Sequence, residues 1–168
     1  MAFLWSVLYV IALGIASHFI GEAIPRERFD AERFPYRTRG WEQNGRIYEK
    51  IKIQVWKDRV PDMSRILKDM VPKRVGVCPK AADVWVLVGE TCRAEIVHWG
   101  LCIASPVICL FWLEAVWVGA LLSAAVILGN LPFILIQRYN RPTLISLARR
   151  LEVREERKRN HARIDPVG

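Results

Sequence analysis

None of the 25 lysine and arginine residues of this 168-residue chain falls in residues 1–25 or 94–137. Between residues 96 and 137 the only formally ionisable groups besides cysteine are His98 and Glu114. That second stretch is too long for one membrane helix and matches two, since about 20 helical residues rising ~1.5 Å each cross a hydrocarbon core about 30 Å thick. The lack of basic residues before the first apolar run also argues against a cleaved signal peptide, which opens with a positive segment. Residues 2–20 are therefore expected to remain as an anchor and a third span.

Signatures for metal or disulfide chemistry are equally scarce. The four cysteines, Cys78, Cys92, Cys102 and Cys109, contain no CxxC pair, so no metal site is expected and a disulfide has little support. Cys102 and Cys109 lie inside a predicted span, where they act as small apolar residues. No internal repeat or low-complexity tract interrupts the chain, and no nucleophile elbow or zinc motif is present.

What is there follows from these gaps. The expected fold class is an all-α integral membrane protein, one membrane domain over residues 1–168. It has spans at about 2–20, 96–113 and 118–137, a cytoplasmic amphipathic-helical loop at 21–95 and a basic cytoplasmic tail at 138–168. The positive-inside rule puts loop and tail in the cytoplasm, and Met1 with the Glu114 hairpin outside. The expected location is the cell membrane, multi-pass. Trp5, Trp112 and Trp117 on the outer side, with Trp99 and Tyr139 on the inner side, suit interfacial aromatic belts.

The net charge of +8 comes from residues 21–93 with 16 basic and 11 acidic residues, a tail with nine and four, and the two acids Glu95 and Glu114. Both basic blocks flank membrane spans, so anionic headgroups are nearer partners than nucleic acid, which is not expected to bind. Within the loop, Pro25 and Pro35 bracket a charged stretch, and Gly40 and Asn44-Gly45 are breakers. Residues 46–56 fit either one face of an interfacial amphipathic helix or an alternating strand, and flanking Lys50, Lys52 and Lys57 favour the helix. Asp62 caps a predicted short helix through Met70. From Ala81 a helix is expected to run into the second span, and the tail 149–159 to be helical.

Thr91, Glu95, His98 and Cys102 fall on one face of that helix, while Arg93 points away. A carboxylate and an imidazole three residues apart, where a helix enters the bilayer, are costly and normally face a protein interior or aqueous cavity. Pro132 frees a backbone carbonyl and Asn130 needs a polar partner. If the helices bundle, Glu95, His98, Arg138, Asn140 and Arg141 converge at the inner boundary. An imidazole with an ordinary pKa near 6.5 accepts a proton from a hydroxyl, and a carboxylate orients it. Arginines hold phosphate or carboxylate groups in bidentate fashion. Each part also has a plainer reading: Arg138 and Arg141 as headgroup contacts, His98 as a packing residue beside Trp99, His18 as a helix contact.

The segment Glu90-Thr-Cys-Arg-Ala-Glu-Ile-Val-His-Trp99, a hydrophobic hairpin and Asn130-Leu-Pro-Phe-Ile-Leu-Ile-Gln-Arg-Tyr-Asn-Arg-Pro142 closely resemble the glycosyl-diaponeurosporenoate acyltransferases of staphyloxanthin-type carotenoid synthesis. A fainter likeness reaches Ile24-Pro25, Phe29 and the pair Trp56-Lys57. Thr143 departs from the pattern, where a second basic residue is expected. The resemblance implies an integral membrane acyltransferase that esterifies a sugar hydroxyl of a glycosylated carotenoid, or a related glycolipid, with a fatty acyl group.

On chemical grounds His98 is the expected general base and Glu95 the group that orients it. Arg93, Arg138, Asn140, Arg141, Trp56 and Lys57 are the expected substrate-binding residues. No cofactor is expected beyond the acyl donor, taken as acyl-CoA, and the expected partners are membrane lipids, the glycosylated acceptor and that donor. The alternative is a non-catalytic membrane scaffold that presents lipid to another enzyme.

Overall fold

A computed structural model describes residues 1–25, 28–60 and 79–164. Among these residues every regular element is helical: α1 (Ala2–Ala23), a 3₁₀ segment (Gly40–Ile51), the short α2 (Ile53–Trp56), a 3₁₀ turn (Lys57–Arg59), α3 (Ala81–Ala104), a 3₁₀ run (Ser105–Ala115) and α4 (Val116–Ile164).

The first helix carries no charged residue before Glu22, and Phe3, Leu4, Trp5, Ile11, Ile15 and Phe19 stand exposed along it. A helix apolar on every side and uncovered by protein finds its favourable surroundings in lipid. Among the described residues two helical stretches are long and apolar enough to cross a membrane, Ala2–Ala23 and Ala81–His161, which suggests membrane association.

The expectation of three separate spans is corrected here. Segments 96–113 and 118–137 are arms of one helical run that folds back on itself. The reason lies at the tip, where residues 105–115 keep 3₁₀ geometry and only Trp112, with φ −125° and ψ 42°, leaves helical space. Ser123 stitches the arms by donating to the Ser105 carbonyl at 2.9 Å. The backbones meet at Gly119, where a Cβ would lie 2.7 Å from the Cys109 Cα.

Helix α1 runs antiparallel to α3. Near its start, Trp112 donates to the Ser6 hydroxyl at 2.9 Å and Tyr9 donates to the Ala104 carbonyl at 2.9 Å. Near its end, Gly21 abuts Val97, and Glu22 pairs with Arg93 at 3.0 Å. All the charged groups described below therefore gather at one end of the three rods, opposite the hairpin tip.

At that end residues 28–60 wrap α3 and α4. Ala31 and Tyr36 enter a core with Val88 and Cys92, flanked by Phe29, Trp85, Leu144 and Ile145. The continuous amphipathic helix expected over 46–56 is not formed, and neither is a strand. Gln43, Asn44 and Gly45 all adopt positive φ, and Lys52 does so again at φ 53°, dividing the 3₁₀ segment from α2. Tyr48 and Ile53 turn inward and are buried against protein, while Ile51 and Val55 stay exposed. Gly45 has a specific need for its missing side chain: at φ 90° its Cβ would meet the Tyr139 carbonyl at 3.1 Å.

The break expected at Asn44-Gly45, the helix running on from Ala81 and the helical tail at 149–159 are all present. Helix α4 passes through Pro132 and Pro142. The helix expected at 62–70 and Cys78 lie outside the described residues.

Candidate active site

The site begins with two arginines one turn apart on α4. Helical spacing of three residues puts Arg138 and Arg141 on one face, and α3 presents Glu95 to both. Glu95 Oε1 accepts from Arg138 Nη1 at 2.7 Å, and Oε2 accepts from Arg141 Nη2 at 2.5 Å. The other side of Arg138 grips Glu42, with Nε 2.5 Å from Oε1 and Nη2 2.7 Å from Oε2. Glu42, Arg138, Glu95 and Arg141 thus alternate in sign along a ladder spanning the wrapped segment, α4 and α3.

The ladder is dry. Relative exposure is 0% for Glu42, 2% for Glu95 and 1% for Arg141. Buried ions persist only when paired and hydrogen-bonded throughout, and Arg141 meets that condition fully. Its Nε donates to Thr91 Oγ1 at 2.8 Å, Nη1 to the Tyr36 carbonyl at 2.8 Å and Nη2 to the Thr91 carbonyl at 3.0 Å. A guanidinium committed in this way braces the fold. Burial pushes the Glu42 carboxyl up, but hydrogen bonds from Arg138, the Arg39 backbone N–H and the Tyr48 hydroxyl outweigh it and hold the group at about 2. Burial and the bond to Glu42 push Tyr48 up to about 12.

One turn beyond Glu95, toward the apolar part of the rods, His98 faces α4. Its Nδ1 lies 2.7 Å from Asn130 Oδ1, and its ring stacks on Phe133 with centroids 4.6 Å apart and planes 13° from parallel. Asn130 Nδ2 donates to the Val126 carbonyl at 2.8 Å, which points Oδ1 at the imidazole. An acceptor at Nδ1 selects the Nδ1–H tautomer and leaves the basic lone pair on Nε2. Glu95, expected to orient His98, instead has both oxygens on arginines, and Asn130 contacts the imidazole.

The remaining expected residues divide into two groups. Lys57 Nζ reaches Asn140 Oδ1 at 3.3 Å and lies 5.0 Å from the centre of the Tyr139 ring, beside the ladder. Trp56 sits next to it, its indole N–H donating to the Ile51 carbonyl at 3.0 Å. Arg93, by contrast, faces α1, held by Glu90 at 2.5 Å and Glu22 at 3.0 Å. Glu42 was missed by sequence reasoning. The available signal was chemical: two arginines at a membrane boundary need carboxylates, and one Glu95 cannot neutralise both. Among the described residues no group of three His, Cys, Asp or Glu side chains converges as a metal site would require.

The family profile of glycosyl-4,4'-diaponeurosporenoate acyltransferase matches residues 32–150, the span holding the ladder, His98 and Asn130. The chain is 28% identical over 158 residues to the glycosyl-4,4'-diaponeurosporenoate acyltransferase of Staphylococcus aureus strain bovine RF122 / ET3-1, covering 93% of each. Identity and coverage are the same for the proteins of that name from strains MRSA252 and N315. No solved structure matches. The scaffold alternative gives way to this assignment. The chain belongs to the glycosyl-4,4'-diaponeurosporenoate acyltransferase family and is an acyltransferase.

Proposed function

We propose that the protein esterifies a sugar hydroxyl of a glycosylated carotenoid, or a related membrane glycolipid, with a fatty acyl group from acyl-CoA. His98 Nε2 takes the proton as the hydroxyl oxygen attacks the acyl carbonyl carbon. The carbon–sulfur bond then breaks, and the imidazolium returns the proton to the leaving thiolate. Asn130 holds the tautomer, and the Glu42–Arg138–Glu95–Arg141 ladder fixes α3 against α4 so that His98 and Asn130 stay in register. Lys57, Asn140 and Trp56 flank the entrance for the polar part of the substrates, and Arg93 positions α1. No further cofactor takes part.

The observation carrying this reading is the 2.7 Å pair between His98 and Asn130. It lies where the charge-free helices meet the charged end, the depth at which an amphipathic glycolipid presents its sugar. In the same reading the apolar rods lie in the cell membrane, with Met1 and the hairpin tip outside and the basic end cytoplasmic. The test is turnover by purified protein in detergent, given labelled acyl-CoA and the glycosylated carotenoid. Wild type forms the ester and His98→Ala, at equal protein level, forms none. Undiminished activity in that variant removes the base.

A further inference from the structure

Since Arg141 is consumed by the fold and Arg138 by two carboxylates, the phosphates of an acyl donor need other cations. An open groove of about 870 Å³ lies between residues 31–38 and the stretch of α4 that follows the ladder. Its rim carries Arg37, Arg149 and Arg150, with hydroxyls from Thr38 and Thr143, and one acid, Glu32. Glu32 pairs with Arg149, but both side chains are more than half exposed, and an ion pair in water is weak enough to open for a stronger anion. Arg150 donates to Ser146 at 3.0 Å within the same wall. Three guanidiniums around one groove suit the geometry and charge of phosphate esters.

We infer that this groove docks the phosphate-bearing end of the acyl donor, and that the donor is a carrier thioester whose acyl group sits on a long arm. This rests on the acyl-transfer reading above. The class follows from distance: the α4 wall of the groove runs from Pro142 to Arg150, twelve to twenty residues beyond Asn130, roughly 18 to 30 Å at ~1.5 Å per residue. A coenzyme A thioester carries its acyl group on an extended arm beyond the diphosphate and a further phosphate on its ribose, so with the acyl carbonyl at His98 the diphosphate meets the near end of the groove and the ribose phosphate the far end at Arg149 and Arg150. A phospholipid carries its acyl esters only a few atoms from phosphate, so a headgroup held in the groove leaves its ester out of range.

Binding of free coenzyme A to the full chain in detergent tests this without turnover. Wild type binds, and affinity falls as salt rises. Arg149→Ala/Arg150→Ala loses about tenfold or more in affinity, the equivalent of one good charge-assisted contact, while His98→Gln binds as wild type does. Glu32→Gln, which releases Arg149, binds more tightly, a gain that misfolding does not produce. Equal affinity in wild type and the double arginine variant overturns the assignment. So does Arg149- and Arg150-dependent binding to phosphatidate in nanodiscs that coenzyme A does not compete away, since the groove then serves a lipid headgroup. The two readings fail separately: intact coenzyme A binding without ester formation counts against acyl transfer, and ester formation with an unchanged donor KM in the double variant counts against the groove.

Discussion

Arg138 and Glu42, 96 residues apart in the chain, meet through two parallel hydrogen bonds of 2.5 and 2.7 Å. This bidentate contact fastens the 3₁₀ segment to α4. It also completes the charge balance of a four-residue ladder whose other ion pairs lie between α3 and α4.

Removing Glu42 leaves Arg138 sharing a single carboxylate with Arg141. Glu42→Ala is expected to destabilise the fold by about 3–5 kcal/mol, the usual consequence of breaking a buried ion pair from one side. Thermal unfolding in detergent measures the loss, and limited proteolysis should show residues 40–57 becoming accessible first.

The same carboxyl sets an acid limit. Its pKa is lowered from 4.5 to about 2, so the unfolded chain binds the proton more readily than the folded one. Its stabilising contribution is complete above about pH 4.5 and is lost as pH falls toward 2. Tyr48 behaves oppositely: raised from 10.0 to about 12, it contributes fully below pH 10 and loses its contribution as pH rises toward 12. Melting temperature against pH should decline at both ends, with Glu42→Gln flattening the acid limb and Tyr48→Phe the alkaline one.

Asn130 is a positioning residue, so its replacement should act through His98. Asn130→Ala is expected to lower kcat by about 10²-fold, the lower range for general-base catalysis, with the KM for donor little changed. Asn130→Asp places a carboxylate beside the imidazole, which favours the imidazolium. The acidic limb of its pH–rate profile should move to higher pH, a displacement that a merely structural asparagine would not cause.

Gly119 marks the closest approach of the hairpin arms. A methyl there would lie 2.7 Å from backbone Cα of Cys109, and backbone cannot yield as a flexible side chain does. Gly119→Ala should force the arms apart at a cost of about 1–3 kcal/mol, read as a lower melting temperature. Gly100 and Gly129 have no atom within 4 Å of such a methyl and serve as controls.

Much of the site was legible in the residues. Glu95, His98, Arg138, Asn140 and Arg141 were expected at one boundary because ionisable groups at a bilayer edge must face one another, and helical spacing aligns them on α3 and α4. Their pairing was not legible. Glu95 and His98 share a helical face three residues apart, yet Glu95 goes to the arginines and His98 to Asn130, a choice set by which α4 side chain lies across from each.

Composition and periodicity alone determined that the chain is helical, that its apolar stretches are uncovered and that its charge gathers beside them, because lipid compatibility is a property of unbroken local sequence. Only the tertiary structure decided that Glu42 joins the ladder, that residues 46–56 break at Lys52, and that Arg141 is sealed within protein. Those outcomes depend on contacts between residues roughly 50 to 100 positions apart. No local pattern encodes which buried charge will find which partner.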